Sequence, residues 1–426
     1  MSRPEGSITR TGTLPSPDCP MRGAEPLRGE ALAREDSGTV WETWRRAWGP
    51  VVPVEVAGAE RAWLVLGYNE ALHVASSPGL YACDRRGAAD GRDRPVFGGS
   101  GPNALRTDGQ EHARLRAAIT GALQQVTGFR LRADAGGAAT ELIDEFAARG
   151  SADLVADFAQ RLPLRVVTRL LGAGEELARR LEQLVAALGD QPAGTAEAST
   201  ELGDLLLDLA AARRVDPASD LTSWLVEHPS DLDDDEAAQQ LLLLLTAAHE
   251  PTANLIGGVL RALLTGGASG GRVAEVVDRV LWQDPPLQAL PHRVATRELR
   301  LGSADVRVGD LLVLGLAAAN ADPALGAADD EFSNRAHLSW GAGPHRCPAR
   351  DLARSITTAG VTALVDRLPS LRPAVDPGEL RWRPSPFSRA TTALPVHFTP
   401  EGAGASEPDA ARSPAGWNPL GWFRAR

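Results

Sequence analysis

Apolar residues recur at three-and-four spacing in EHARLRAAITGALQQ, GAATELIDEFAARG, LARRLEQLVAAL, ELGDLLLDLAAARR and RSITTAGVTALVDRL. That period gathers them on one face of a 3.6-residue helix, so each stretch predicts an amphipathic helix. Strand patterns are fewer and shorter. AWLVLG (62–67), DLLVLGL (310–316) and TALPVHF (392–398) predict strands, and LRLGSADVRVGD (299–310) predicts a hairpin. The pattern describes a mainly α body with a small accessory β region, and no internal repeat is visible.

One helix differs from the rest. Residues 235–265 are apolar almost all round, with an acidic start at Asp231–Glu236 and a stop at Gly266 and Gly267. Such a helix belongs in the core. Its centre nevertheless carries His249, Glu250, Pro251 and Thr252. A proline inside a helix removes a backbone hydrogen bond at a cost of about 3 kcal/mol or more, so the stretch predicts a kinked, polar interruption facing a ligand groove.

Residues 1–36 and 400–426 lack any sustained period and are rich in Pro, Gly, Ser and charge, which predicts flexible tails around a body at 37–399. Within the second, WNPLGWFRAR (417–426) reads as an unpacked tail or as a contact for a partner or membrane surface. The chain contains no lysine, so all 44 cations are arginine, and its net charge of −11 excludes nucleic acid as an expected partner. Cys19, Cys83 and Cys347 make no even disulfide set and no signal peptide is apparent, which predicts a reducing, cytoplasmic setting. The longest apolar run falls far short of the roughly 20 residues of a spanning helix.

The remaining cysteine has the most pointed context. In SWGAGPHRCPARDLA (339–353), Cys347 precedes Pro348 at the predicted start of a helix, where the dipole favours a thiolate. Gly341 and Gly343 remove side chains upstream, as backbone approaching something flat and bulky requires. Zinc would need further ligands at short spacing, and a nucleophile would need a base, for which His345 is the nearby candidate. A single thiolate under a glycine-rich loop fits axial ligation of haem iron better.

WGAGPHRCPA (340–349) resembles the haem-binding signature of the cytochrome P450 family. The AAHEPT helix resembles the family's oxygen-side helix, LWQDPPLQALPHRVA (281–295) resembles the segment after its Glu-x-x-Arg helix, and HARLR (112–116) resembles its propionate-binding pair. The resemblance implies the P450 fold, with haem b between the long helix and the Cys-bearing loop. It implies Cys347 as the iron ligand and His112, Arg116, Arg293 and His345 as propionate partners. Ala247, Ala248, Trp340 and Gly341 would then line the cofactor, and His249 and Glu250 would face the groove, with a satisfied core histidine as the alternative for His249.

Three positions depart from the family pattern. The Glu-x-x-Arg pair falls on Arg279 and Trp282, as in an actinobacterial subgroup whose motif ends in Leu-Trp. The usual arginine of the following meander is Glu331, so a charge-swapped Arg279–Glu331 pair is expected, the alternative being a solvated Glu331. Pro251 stands where the family has a proton-delivering threonine, and Thr252 lies about 100° further round the helix.

These residues imply a monooxygenase that hydroxylates a small to medium apolar molecule, with electrons from a separate ferredoxin and ferredoxin reductase, since no flavin or nicotinamide fingerprint is present. Pro251 makes peroxide-driven oxidation an alternative, and a non-catalytic haem protein with a regulatory or biosynthetic partner is another. Arg346, Arg350 and Arg354 are candidates for a ferredoxin-docking patch, for propionate contacts, or for solvated helix positions.

Overall fold

A computed structural model describes residues 25–34, 36–56, 60–84, 101–190, 195–266, 272–326 and 334–401. The periodic stretches form the helices Gly109–Gln124, Gly128–Asp144, Glu175–Asp190, Thr195–Val215 and Arg350–Arg367. Their apolar stripes meet in one core, where Leu115, Ile119, Leu142, Leu181, Leu206 and Leu364 are each 2% exposed or less.

The central helix runs from Asp234 to Leu264. Its start is fixed by a capping box: the Asp233 carboxylate accepts from the Glu236 amide at 2.8 Å, and the Glu236 side chain accepts from the Asp233 amide at 3.2 Å. Asp234, Asp235 and Glu236 place negative charge at the positive end of the dipole. Beyond Leu264 the chain turns at Gly266 with φ +80°, a conformation that a β-carbon disfavours. Helical structure continues through Pro251, which leaves the Ala247 carbonyl without its usual intrahelical donor.

The sheet has six strands in the order Glu25–Pro26, Val51–Val56, Glu60–Val65, Leu311–Leu314, Leu290–Ala295, Tyr81–Ala82. Val51–Val56 pairs antiparallel with Glu60–Val65, which pairs parallel with Leu311–Leu314. Both faces of its centre are covered: Trp63, Val65, Leu312 and Leu314 enter one cluster, while Ala62, Leu64 and Val313 enter another. Two-sided burial explains why these strands read as continuous apolar runs. Leu299–Leu301 and Ala304–Val306 form the expected hairpin, and Pro395–His397 pairs with Ser151–Asp153.

Two boundaries differ from expectation. Residues 25–34 are not a tail: Leu27 and Leu32 are buried, Glu25 and Pro26 pair with Val54 and Glu55, and Arg389 donates to the carbonyls of Leu32 and Arg34. Two leucines and a strand edge suffice to draw this polar-looking segment into the body. The helix after Cys347 begins at Arg350, with Pro348 in the preceding turn. The segment 417–426 lies outside the described residues.

No described helix is long and apolar enough to cross a membrane. The central helix instead uses its apolar surface for packing. Leu245, fully buried there, predicts that Leu245→Ala lowers unfolding free energy by about 2–5 kcal/mol, measurable by denaturant titration.

Candidate active site

The central helix is buried on either side of its middle but not at it. Leu241 and Leu245 are buried before the interruption and Ala253–Gly257 after it, whereas Ala247 is exposed and Ala248, His249, Glu250 and Pro251 are half-buried. Ala247 and Pro251, four apart, share one face. The helix therefore borders open space at the turn where its backbone bonding is broken.

The polar residues of that turn are already engaged. Nε2 of His249 lies 3.0 Å from the Gln160 carbonyl, and burial depresses the His249 pKa. Glu250 pairs with the Arg383 guanidinium. Thr252 is 5% exposed, turned toward the packed side. Arg383, which pattern reasoning did not single out, also lines a cavity of about 50 Å³ with Gln160, Asn254, Gly257, Thr391 and Thr392.

The cysteine loop is held tightly. The Cys347 amide donates to the Trp340 carbonyl at 2.9 Å and the Gly341 amide to the Leu338 carbonyl at 2.7 Å. Gly341 and Gly343 both have φ +67°, and a β-carbon on Gly343 would lie 2.2 Å from the Ala75 carbonyl oxygen. Only glycine fits that approach. Burial pushes the Cys347 thiol pKa up, opposed by the Ala349 amide and the guanidinium groups of Arg116, Arg350 and Arg346. In the ligand-free protein burial outweighs the helix end that sequence reasoning credited with favouring the thiolate.

Basic groups converge beside this loop. His112 and Arg116 are one turn apart on Gly109–Gln124. Arg116 donates to the Arg346 carbonyl, and the His112 ring packs on His345 with centroids 4.1 Å apart. His345 Nε2 lies 3.1 Å from an Asp108 oxygen, and the other Asp108 oxygen accepts from the amides of Cys83 and Asp84 at 2.6 and 2.8 Å. Burial opposes charge on Asp108, but His345 and those amides outweigh it and hold its pKa low. Arg293 is 3% exposed on the strand Leu290–Ala295, near enough to Cys83 to act on its thiol, whose pKa burial raises to about 12.

The chain is 30% identical over 377 residues to cytochrome P450 107B1 of Saccharopolyspora erythraea, a match spanning 82% of this chain and 92% of that protein. The chain belongs to the cytochrome P450 family. It is also 30% identical over 373 residues to the mycinamicin IV hydroxylase/epoxidase of Micromonospora griseorubida, across 82% of this chain and 92% of that one. Among solved structures, the P450 enzyme CxnD for C–S bond formation in chuangxinmycin biosynthesis superposes with a TM-score of 0.77 at 26% identity, covering 88% of this chain and 98% of that one. P450BioI, solved with an acyl carrier protein carrying hexadec-9Z-enoic acid, gives a TM-score of 0.74 at 25% identity, covering 87% and 100%. No protein-family model matches the chain. The fold is the P450 fold, and the protein is an oxidoreductase of the P450 monooxygenase class.

A P450 implies haem iron, and the residues present fit it. His112 Nε2 and His345 Nδ1 are buried without a protein partner, on stacked rings beside Arg116. Two buried ring nitrogens next to a guanidinium suit anionic propionates, which would otherwise be costly to bury. The Cys347 thiol and the open face at Ala247 complete a donor set matched to a flat metallated ring.

Two expectations change. Arg354 is not a docking cation: its side chain is 14% exposed and pairs in two contacts with Asp278, one of them 3.0 Å, tying Arg350–Arg367 to the helix Val273–Gln283. Glu331, expected to pair with Arg279, lies outside the described residues. The Arg279–Glu331 pair therefore receives no structural account.

Burial holds the His112 pKa at about 4, helped by the positive charges of His345 and Arg116, and burial likewise holds His337 at about 4. Both values lie below the roughly 6.5 of an unfolded histidine, so the unfolded chain binds protons first on acidification. These two histidines should leave the stability of haem-free protein undiminished above about pH 6.5. That stability should fall toward pH 4 with a slope of at most about 1.4 kcal/mol per pH unit for each histidine. Urea titrations at stepped pH check this, and His112→Gln should flatten the slope.

Proposed function

We propose that this P450 is a haem-thiolate monooxygenase that hydroxylates an apolar organic molecule, with Cys347 as proximal ligand. His112, Arg116, Arg293 and His345 hold the propionates, and Ala247, Ala248, Trp340 and Gly341 border the ring. The observation that carries the reading is the pair of unpartnered ring nitrogens, His112 Nε2 and His345 Nδ1, beside the cysteine loop. When bound, haem iron supplies the oxidation chemistry, insertion of one oxygen atom into a C–H bond with two electrons from outside. The protein's part is to exclude water, orient the substrate against the Ala247 face and manage protons near Pro251.

Electrons are assigned to a separate ferredoxin and its reductase, docking near exposed Arg346 and half-buried Arg350. The named substrate of one relative, mycinamicin IV, supports a polyketide-sized molecule as the class to try first. The haem domain is assigned to the body at 37–399 together with residues 25–34, which pack into it.

Peroxide use is a second reading, favoured by a specific arrangement. Proline 251 offers no hydroxyl, Thr252 is turned to the packed side, and Glu250 is engaged by Arg383. A dioxygen-driven route needs a proton donor at this turn, whereas peroxide arrives with both protons.

Purified protein, reduced and exposed to carbon monoxide, should give a strongly red-shifted Soret band that Cys347→Ala loses; haem bound without that band would overturn the ligand assignment. For the oxidant, Pro251→Thr should raise ferredoxin-supported product formation several-fold relative to peroxide-supported formation. An unchanged ratio in product assays would mean that the missing hydroxyl at position 251 does not decide the oxidant.

A further inference from the structure

The helix Val273–Gln283 ends beneath the cysteine loop, and its last carbonyls have no intrahelical donors. Two neutral side chains, Asn320 and Ser339, meet that need, and a third, Trp282, reaches from the helix to the cysteine-side segment. Asn320 Nδ2 donates to the carbonyls of Leu281 at 3.1 Å and Trp282 at 3.3 Å, and lies 3.0 Å from Ser339 Oγ. Ser339 Oγ also donates to the Leu281 carbonyl. On its other side, Asn320 Oδ1 accepts from the Leu338 amide at 2.7 Å. Trp282 Nε1 donates to the Asn334 carbonyl at 2.6 Å, while its ring stands edge-to-face with His337 at 5.6 Å.

All three side chains are at most 7% exposed, and every bond named is neutral. Asn320 bridges the helix end to Leu338 and Ser339, while Ser339 and Trp282 link the helix end to residues 334–339 directly. The next links are the Gly341 amide to Leu338 and the Cys347 amide to Trp340. A continuous hydrogen-bonded path thus leads from the helix end to the cysteine backbone.

We propose that Trp282, Asn320 and Ser339 are positioning residues that hold the segment 334–340, and through it Cys347, in register with the core by neutral hydrogen bonds. The clamp is defined by the protein alone; its effect on haem rests on the function proposed above. Because no formal charge takes part in it, its strength is independent of ionic strength.

The test uses Trp282→Phe, which keeps the ring and removes the indole N–H, and Asn320→Ala. Hydrogen exchange of the haem-free proteins should show faster exchange in peptides spanning 334–347, with the central helix unchanged. Haem release from loaded protein to an excess of haem acceptor should accelerate roughly tenfold or more, as expected for a buried carbonyl left unsatisfied. The ratio of variant to wild-type release should be the same at low and high salt, because the cations holding the propionates are common to both. Unchanged exchange in 334–347 would overturn the proposal, as would acceleration spread equally over the central helix or a variant-to-wild-type release ratio that changes with salt. Loss of the thiolate band in the wild type would instead reject the haem-thiolate reading, and the exchange data would still decide the clamp.

Discussion

Everything in this fold is arranged around a helix that cannot face water. Asp234–Leu264 offers apolar side chains in nearly all directions, so it must be covered, and helices Thr195–Val215, Arg161–Leu170, Val273–Gln283 and Arg350–Arg367 pack around it. That coverage thins at mid-helix, where Ala247 is exposed and Ala248 to Pro251 are half-buried. This stretch is where a large flat cofactor would complete the core. Burial and function are therefore one constraint: the same helix demands a wrapped interior and leaves a defined place unwrapped.

The cysteine opposite illustrates a competition between two local effects. A nearby helix start and three arginines favour the thiolate, yet dehydration favours the thiol and prevails. Burial and the neighbouring cations thus pull the sulfur in opposite directions. Metal binding would then release a proton, linking loading to pH.

Much of this was legible from pattern. The helix periods marked the helices because each has one buried stripe, and the composition of the central helix marked it as interior. The strand Val51–Val56 escaped because its buried run VVPV is short, contains proline and lacks alternation, so periodicity carries no signal there. At the site, Cys347, His112, Arg116, Arg293 and His345 came from resemblance to a motif, and the structure brings His112, Arg116 and His345 together around the Cys347 loop. Asp108 and Arg383 were missed. Asp108 sits just before a helix, where an aspartate reads as a cap, but its oxygens turn to His345 and to the Cys83 and Asp84 amides instead. Arg383 lies 133 residues from Glu250 in a segment without a period, and no local pattern anticipates such a partner.

The involvement of both chain ends in the body has a consequence for how the protein is made. Glu25–Pro26 joins the sheet early in sequence, but Arg389 must be present to grip the carbonyls of Leu32 and Arg34. Ser151–Asp153 likewise waits for Pro395–His397 to gain its partner. Synthesis proceeds from the N-terminus, so these sites stay open until residues 389–397 have left the ribosome. A nascent chain truncated before residue 389 would leave the strand edge at Ser151–Asp153 unpaired, a feature that invites association with other chains.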